Sequence, residues 1–235
     1  MKKFILIFSV LCVILSGCSD FQIDHAKAET VKTEPESVAE TPGDTADSAT
    51  RESAVTVFPL PDSTMDSIDN GTFAISLEEG DAYVDDTGIM RMDVKVYSYD
   101  LYDMVDIAGL KAGDIIVGHG GEVEVTSVER NDFGTVLING GLENGGFDLC
   151  CNDGGVYYEV GFSDVKSWYE VGEVTLRVSV DLEFRDKKDL DMGEQIYYAG
   201  SFLVGEVTDY HFTPHNTTVR TENGQIVSME RIYTP

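Results

Sequence analysis

Met90, Met92, Val94 and Val96 alternate without a break with Arg91, Asp93, Lys95 and Tyr97. Only an extended strand sends successive side chains to opposite faces, so this stretch must lie between a core and water. The same alternation returns at Val174, Leu176, Val178 and Val180 against Thr175, Arg177 and Ser179. Shorter apolar runs at Thr72–Leu77, Asp114–Val117, Glu122–Arg130, Thr135–Asn139, Val156–Val160 and Gln195–Tyr198 are separated by turn-forming residues. Asp85-Asp86-Thr87-Gly88 and Asn131-Asp132-Phe133-Gly134 are the clearest such turns. Thr217–Glu222 and Gln225–Tyr233 flank Asn223-Gly224. This dipeptide suits a two-residue hairpin because both central positions need φ > 0. The pattern predicts an all-β fold, a single sandwich or partly open barrel of about ten short strands over residues 55–235, with two small β subdomains split near Gly109–Gly113 or Gly161–Gly172 as the alternative. Helix is restricted to one turn within Asp100–Leu110, while Gly200–Val207 fits helix or strand. Arg185–Glu194 reads as a charged loop.

Upstream of this domain the sequence changes character twice. Lys2 and Lys3 precede an apolar run, Phe4–Leu15, far short of the roughly 20 residues that span a bilayer. A basic start, a short apolar run and small residues after it describe an export signal. Leu15-Ser16-Gly17-Cys18 resembles a lipobox, the mark of bacterial lipoproteins. The resemblance implies cleavage after Gly17, a diacylglycerol on Cys18 and a palmitate-type acyl chain on the new terminus. Two or more acyl chains make a stable anchor at about 0.8 kcal/mol per buried methylene. It further implies an extracytoplasmic, cell-membrane location with the lipid bilayer as a partner. The globular part resembles only uncharacterised bacterial lipoproteins, which implies no activity. Residues 1–17 are thus expected to be the signal peptide. Residues 18–54, rich in Glu, Asp, Thr and Ala, form a disordered acidic tether that cannot bury enough to offset chain entropy. As a flexible coil it reaches about 30–35 Å.

Charge and cysteine usage narrow the function classes. The chain carries a formal charge of −27, and loss of Lys2 and Lys3 with the signal takes it to −29. Nucleic acid is therefore excluded as a partner, since a phosphate backbone would be repelled. Of four cysteines, Cys12 leaves with the signal and Cys18 takes the lipid, so no disulfide framework remains. The neighbours Cys150 and Cys151 are left as a candidate vicinal disulfide, set against two separate thiols.

The candidate sites are few. Asp186, Asp189, Asp191 and Glu194 crowd one segment with Gly193, an oxygen-rich set that could hold calcium, although the spacing is not that of an EF-hand. A solvated charged loop is the competing reading. Asp209, His211 and His215 suggest a metal pair, but Pro214 breaks the helix that the spacing would need. Ala108–Ile116 resembles a nine-residue stretch of PDZ domains without their flanking helix. Trp168 and Tyr169 are the candidate glycan contacts, because exposed rings on a β scaffold stack on sugars. No Gly-x-Ser-x-Gly, His-Glu-x-x-His or phosphate loop is present. The expected function is a non-enzymatic binding or envelope-organising module for an unknown glycan or protein ligand. An envelope hydrolase acting on glycan or peptide is the alternative.

Overall fold

The alternation at Met90–Tyr97 appears in a computed structural model as a nine-residue strand with Met92, Val94 and Val96 at 0–2% exposure. The structure describes residues 53–161 and 165–234, which fall in one compact unit. The signal peptide, Cys18 and nearly all of the tether lie outside the described residues. In chain order the strands are β1 (Thr56–Val57), β2 (Thr72–Ser76), β3 (Ala82–Val84), β4 (Met90–Ser98) and β5 (Leu101–Asp103). Helix α1 (Met104–Gly109) follows, capped by the Asp103 side chain on the Val105 N–H. Next come β6 (Ile115–Gly118), β7 (Gly121–Glu124), β8 (Val128–Arg130), β9 (Val136–Ile138), β10 (Phe147–Cys151) and β11 (Val156–Val160). The chain ends with β12 (Tyr169–Lys187), β13 (Gln195–Tyr198), α2 (Ala199–Leu203), β14 (Thr217–Glu222) and β15 (Gln225–Ile232).

The all-β expectation holds, and the strands enclose two cores. Five of them close a barrel in the order β2-β4-β12-β15-β14 and back to β2. Every pairing is antiparallel except β12 with β15. Numbered within the barrel, the first strand pairs with the second and fourth, and the third with the second and, in parallel, the fifth. A short helix, α2, connects third to fourth. This is the connectivity of an oligonucleotide/oligosaccharide-binding (OB) barrel. Phe73, Ile75, Val96, Leu182, Phe184 and Ile226 fill the inside, and Phe202 of α2 closes one end.

β12 does most of the closing. Its first half runs along β4 and its second along β15 and β13. Between Val178 and Glu183 the register slips against β15, and Val180 stands 89% exposed. The bulge ejects a residue that alternation predicts to be inside, and it turns the strand around the barrel. The strand also runs through Arg185–Lys187, where a loop was expected. Asp186 points inward and is held there by Arg231 of β15, both 3% exposed or less. Phe212 stacks on the Arg231 guanidinium at 4.3 Å, and Arg231 Nη1 donates to the Asp209 carbonyl. The Asn223-Gly224 hairpin forms as read, with φ of 51° and 70°.

Residues 101–160, between β4 and β12, build the second core with β1. Sheet β5-β11-β10-β9-β8 and the small sheet β1-β6-β7 pack with α1 around Ile107, Ile116, Ile138 and Leu149. The stretch Glu122–Arg130, read as one strand, is two. After β7 the Val125 N–H turns to the Asp114 carbonyl, and Asn139 Oδ1 takes the Thr126 N–H at 2.7 Å. Those bonds divert the chain, and β8 joins the other sheet. The PDZ-like stretch becomes the end of α1, a turn and β6. Asp114, 2% exposed, tightens that turn by accepting from the Lys111 N–H, and its other carboxylate oxygen accepts from the Val55 N–H.

Candidate functional site

The outer face of β4 carries Asp93, Lys95 and Tyr97, the residues that alternate away from the core. Strand pairing sets their neighbours. Thr175 lies opposite Asp93, Glu173 opposite Lys95, Ser76 opposite Lys95 from the other side and Ala74 opposite Tyr97. Directly opposed residues share a face, so these side chains form one surface. Two clefts open on it. One, of about 450 Å³, runs beside Asp93 and Lys95 and is lined further by Glu78, Asp81 and Glu173. The other, of about 390 Å³, lies at the root of the inserted lobe, among Leu60, Tyr97, Tyr99, Lys166 and Trp168. Tyr97 lines the second, and its hydroxyl lies 3.1 Å from Ser76 Oγ in the lining of the first.

The first cleft is polar and largely self-satisfied. Thr175 Oγ1 donates to Asp93 at 2.5 Å, and the Glu78 N–H donates to Asp81 at 2.7 Å. Lys95 lies 3.9 Å from Glu170 and 3.6 Å from Glu173, whose charges raise its pKa.

The second cleft is walled by rings. Trp168 meets Tyr99 edge to face at 4.8 Å, and Tyr158 of β11 meets the other side of Tyr99 at 5.9 Å. The Lys166 ammonium sits 4.1 Å from the Tyr99 ring centre and 5.4 and 5.6 Å from those of Trp168 and Tyr158. It also donates to the Tyr99 hydroxyl at 2.9 Å. Among the described residues the one carboxylate in this lining is Asp62. Burial pushes its pKa up, but hydrogen bonds from Thr64 and Ser98 outweigh that and hold it below the usual value.

Behind the rings lies a buried acidic knot. Asp100, 7% exposed, accepts from the His119 N–H at 2.5 Å and from the Tyr169 hydroxyl at 3.1 Å. The His119 ring stacks flat on Tyr169 at 4.0 Å. Burial and the nearby Asp100 push Tyr169 up to about 12, and Tyr102 higher still. Glu159 is raised by burial and then by Asp100. Gly118 packs closely against this knot. A Cβ there would sit 3.1 Å from the Tyr102 hydroxyl and 3.2 Å from Asp100 Oδ2.

The sequence-predicted residues fall as follows. Trp168 walls the aromatic cleft. Tyr169, the next residue, points the other way, as strand geometry requires, and is spent on His119 and Asp100. Asp186 is tied to Arg231, Asp189 caps the turn through the Asp191 and Met192 N–H groups, and Glu194 faces Arg185 and Lys187. Among the described residues no three of His, Cys, Asp and Glu are grouped to hold a metal ion. Cys150 and Cys151 are both thiols in a regular strand. Successive side chains alternate there. Cys150 Sγ lies 3.9 Å from Thr135 Oγ1, and Cys151 Sγ donates to the Asn152 carbonyl. Sequence reading missed Lys166 and Asp100. The available signal for the first was a lysine two residues before the only tryptophan of a very acidic chain.

The chain matches no protein-family model, no curated protein and no solved structure.

Proposed function

We propose that the protein is a lipid-anchored, extracytoplasmic, non-enzymatic binding protein that takes a glycan along the outer face of β4. One observation carries the reading. The cleft walled by Trp168 and Tyr99 takes in Tyr97, whose hydroxyl lies 3.1 Å from Ser76 Oγ in the lining of a second cleft, itself bordered by hydrogen-bonding carboxylates and a threonine. Sugar rings present an apolar face for stacking and hydroxyls for such acceptors. In OB barrels the face of the second and third strands is the usual ligand surface. Here those strands are β4 and β12, a likeness of fold that supports a location and not a ligand. The carboxylates and the −27 charge argue against a nucleic acid on that face. Hydrolysis of a glycoside needs two carboxylates flanking the bond. Among the described residues Asp62 is the one carboxylate lining the aromatic cleft, and its lowered pKa makes it a poor acid.

The anchor rests on Leu15–Cys18 and on the tether, whose reach of about 30–35 Å would hold the groove clear of the headgroups. No helix of the described residues is long and apolar enough to cross a membrane. Trp168 is the only tryptophan, so its fluorescence reports on the cleft directly. The test is a titration of the detergent-purified protein with a panel of neutral and acidic oligosaccharides. One class should shift Trp168 emission, and calorimetry on Trp168→Ala should show at least a tenfold loss for that class, about 1.4 kcal/mol. A panel that moves neither emission nor melting temperature overturns the glycan reading. Cys18→Ala should move the protein from the membrane to the soluble fraction, and continued membrane retention overturns the anchor.

A further inference from the structure

We infer that Lys166 makes the aromatic cleft a subsite for a single anionic group, the carboxylate of an acidic sugar within an otherwise uncharged glycan. The inference rests on the glycan reading above and names the ligand's charge. Among the described residues Lys166 is the only cation in the lining of this cleft. Its position is fixed from several sides, since three ring faces and the Tyr99 hydroxyl surround the ammonium. An ammonium has three donors. One goes to Tyr99, and the rings take the charge without using a hydrogen-bond acceptor. Several other cations of this acidic molecule stand against carboxylates, among them Arg91 on Asp85, Lys188 on Asp209, Lys187 on Glu230 and Arg231 on Asp186, while Arg130 donates to main-chain carbonyls. Among the described residues Lys166 has no ion-pair partner. A preorganised cation with spare donors, facing a cleft beside a stacking tryptophan, selects an anion carried on a flat ring.

The chemistry favours carboxylate over phosphate. A lone ammonium is a point charge, whereas phosphate is gripped best by the forked donors of arginine. A monoanion also suffers less from the negative field of the whole molecule than a dianion does. The groove beyond Tyr97, lined by Glu78, Asp81, Asp93 and Glu173, repels further negative charge. The favoured ligand therefore has one carboxylate, seated at the Trp168 end, with neutral rings running toward Asp93.

The probe is a neutral glucan trisaccharide carrying one terminal glucuronic acid, compared with its methyl ester and with the uncharged parent. Binding to the full chain in detergent is read by Trp168 emission and calorimetry. The free acid should bind at least tenfold tighter than the ester, and the gap should narrow with added salt. In Lys166→Met, which keeps the stem against the rings, acid and ester should bind alike. Lys166→Arg should restore the preference. Equal affinity of acid and ester for the unaltered protein, or a preference that survives in Lys166→Met, overturns the inference. In both cases the glycan reading stands. Failure of all three sugars and of the wider panel to move Trp168 removes both.

Discussion

Asp186 in the barrel and Asp100 at the root of the inserted lobe are almost equally hidden, at 3% and 7% exposure. They are held in different ways. Asp186 faces a buried guanidinium that meets both its oxygens, with Phe212 and Phe184 packed over the arginine. Asp100 has neutral donors, the His119 N–H and the Tyr169 hydroxyl, with Glu159 close by. The barrel neutralises what it buries. At the root of the lobe, among the described residues, Asp100 is met by neutral hydrogen-bond donors alone. The difference teaches which region is frame and which is working surface. The barrel is closed, long-stranded and electrically complete, while the groove and its lysine lie where the lobe joins it.

The largest expected effect tests the frame. Arg231→Met strips the buried Asp186 of its guanidinium and leaves it only Lys188, 3.9 Å away and already engaged with Asp209. Breaking a buried pair from one side costs about 3–5 kcal/mol. Denaturant unfolding at neutral pH should show that loss, and the double change with Asp186→Leu should recover most of it. A single variant as stable as the parent would mean that the barrel does not depend on this pair, and the contrast with Asp100 would collapse.

Two asparagines with left-handed backbone sharpen the comparison at the level of turns. Asn139, φ 54°, lies in the lobe, and Asn223, φ 51°, in the barrel hairpin. The Asn139 side chain also works. It accepts from Thr126 and Ser127 and donates to the Glu124 carbonyl, and so holds the point where β7 and β8 part. Asn139→Ala should therefore cost about 2–4 kcal/mol, from strain plus several lost hydrogen bonds. Asn223→Ala removes little beyond the preference for φ > 0 and should cost about 1 kcal/mol. Asn223→Gly should be close to neutral. Chemical unfolding curves decide this. Equal costs at the two sites would deny that the lobe leans on polar side chains more than the barrel does.

The same contrast explains what could be read from the chain beforehand. β4 and the Asn223-Gly224 hairpin were legible because period-two alternation and turn chemistry are local. The second half of β12 was not. Arg185, Asp186 and Lys187 look like loop residues until Asp186 finds Arg231, 45 residues away. Val180 reads as core because nothing local announces the bulge that expels it. The break at Thr126 depends on a side chain 13 residues downstream. Of the groove, Trp168 stood out by rarity. Tyr169 looked equivalent and is not, because one step along a strand turns a ring from the cleft to the buried knot. The opposition of two cores is a matter of long-range pairing that composition and periodicity do not carry.

The smallest effect is one of sign, and it returns to the two ways of burying charge. Glu159 has its folded pKa raised, by burial first and then by Asp100. Above the usual glutamate value the unfolded chain has released this proton while the folded one retains it. The folded state then binds more protons, so stability falls as pH rises through that window. Asp209, on the barrel, has its folded pKa lowered, by the Lys188 hydrogen bond foremost. Its contribution is present above the usual aspartate value and is lost as pH falls toward the folded pKa. Glu159→Gln should therefore raise the melting temperature at pH 7 and make no difference once the medium is acid enough to protonate the parent. Asp209→Asn should lower it at pH 7, with the loss vanishing in acid. Melting curves of the three proteins between pH 3 and pH 8 give both slopes. If Glu159→Gln is neutral or destabilising at pH 7, the root of the lobe does not carry uncompensated negative charge, and it joins the barrel as one electrically settled frame.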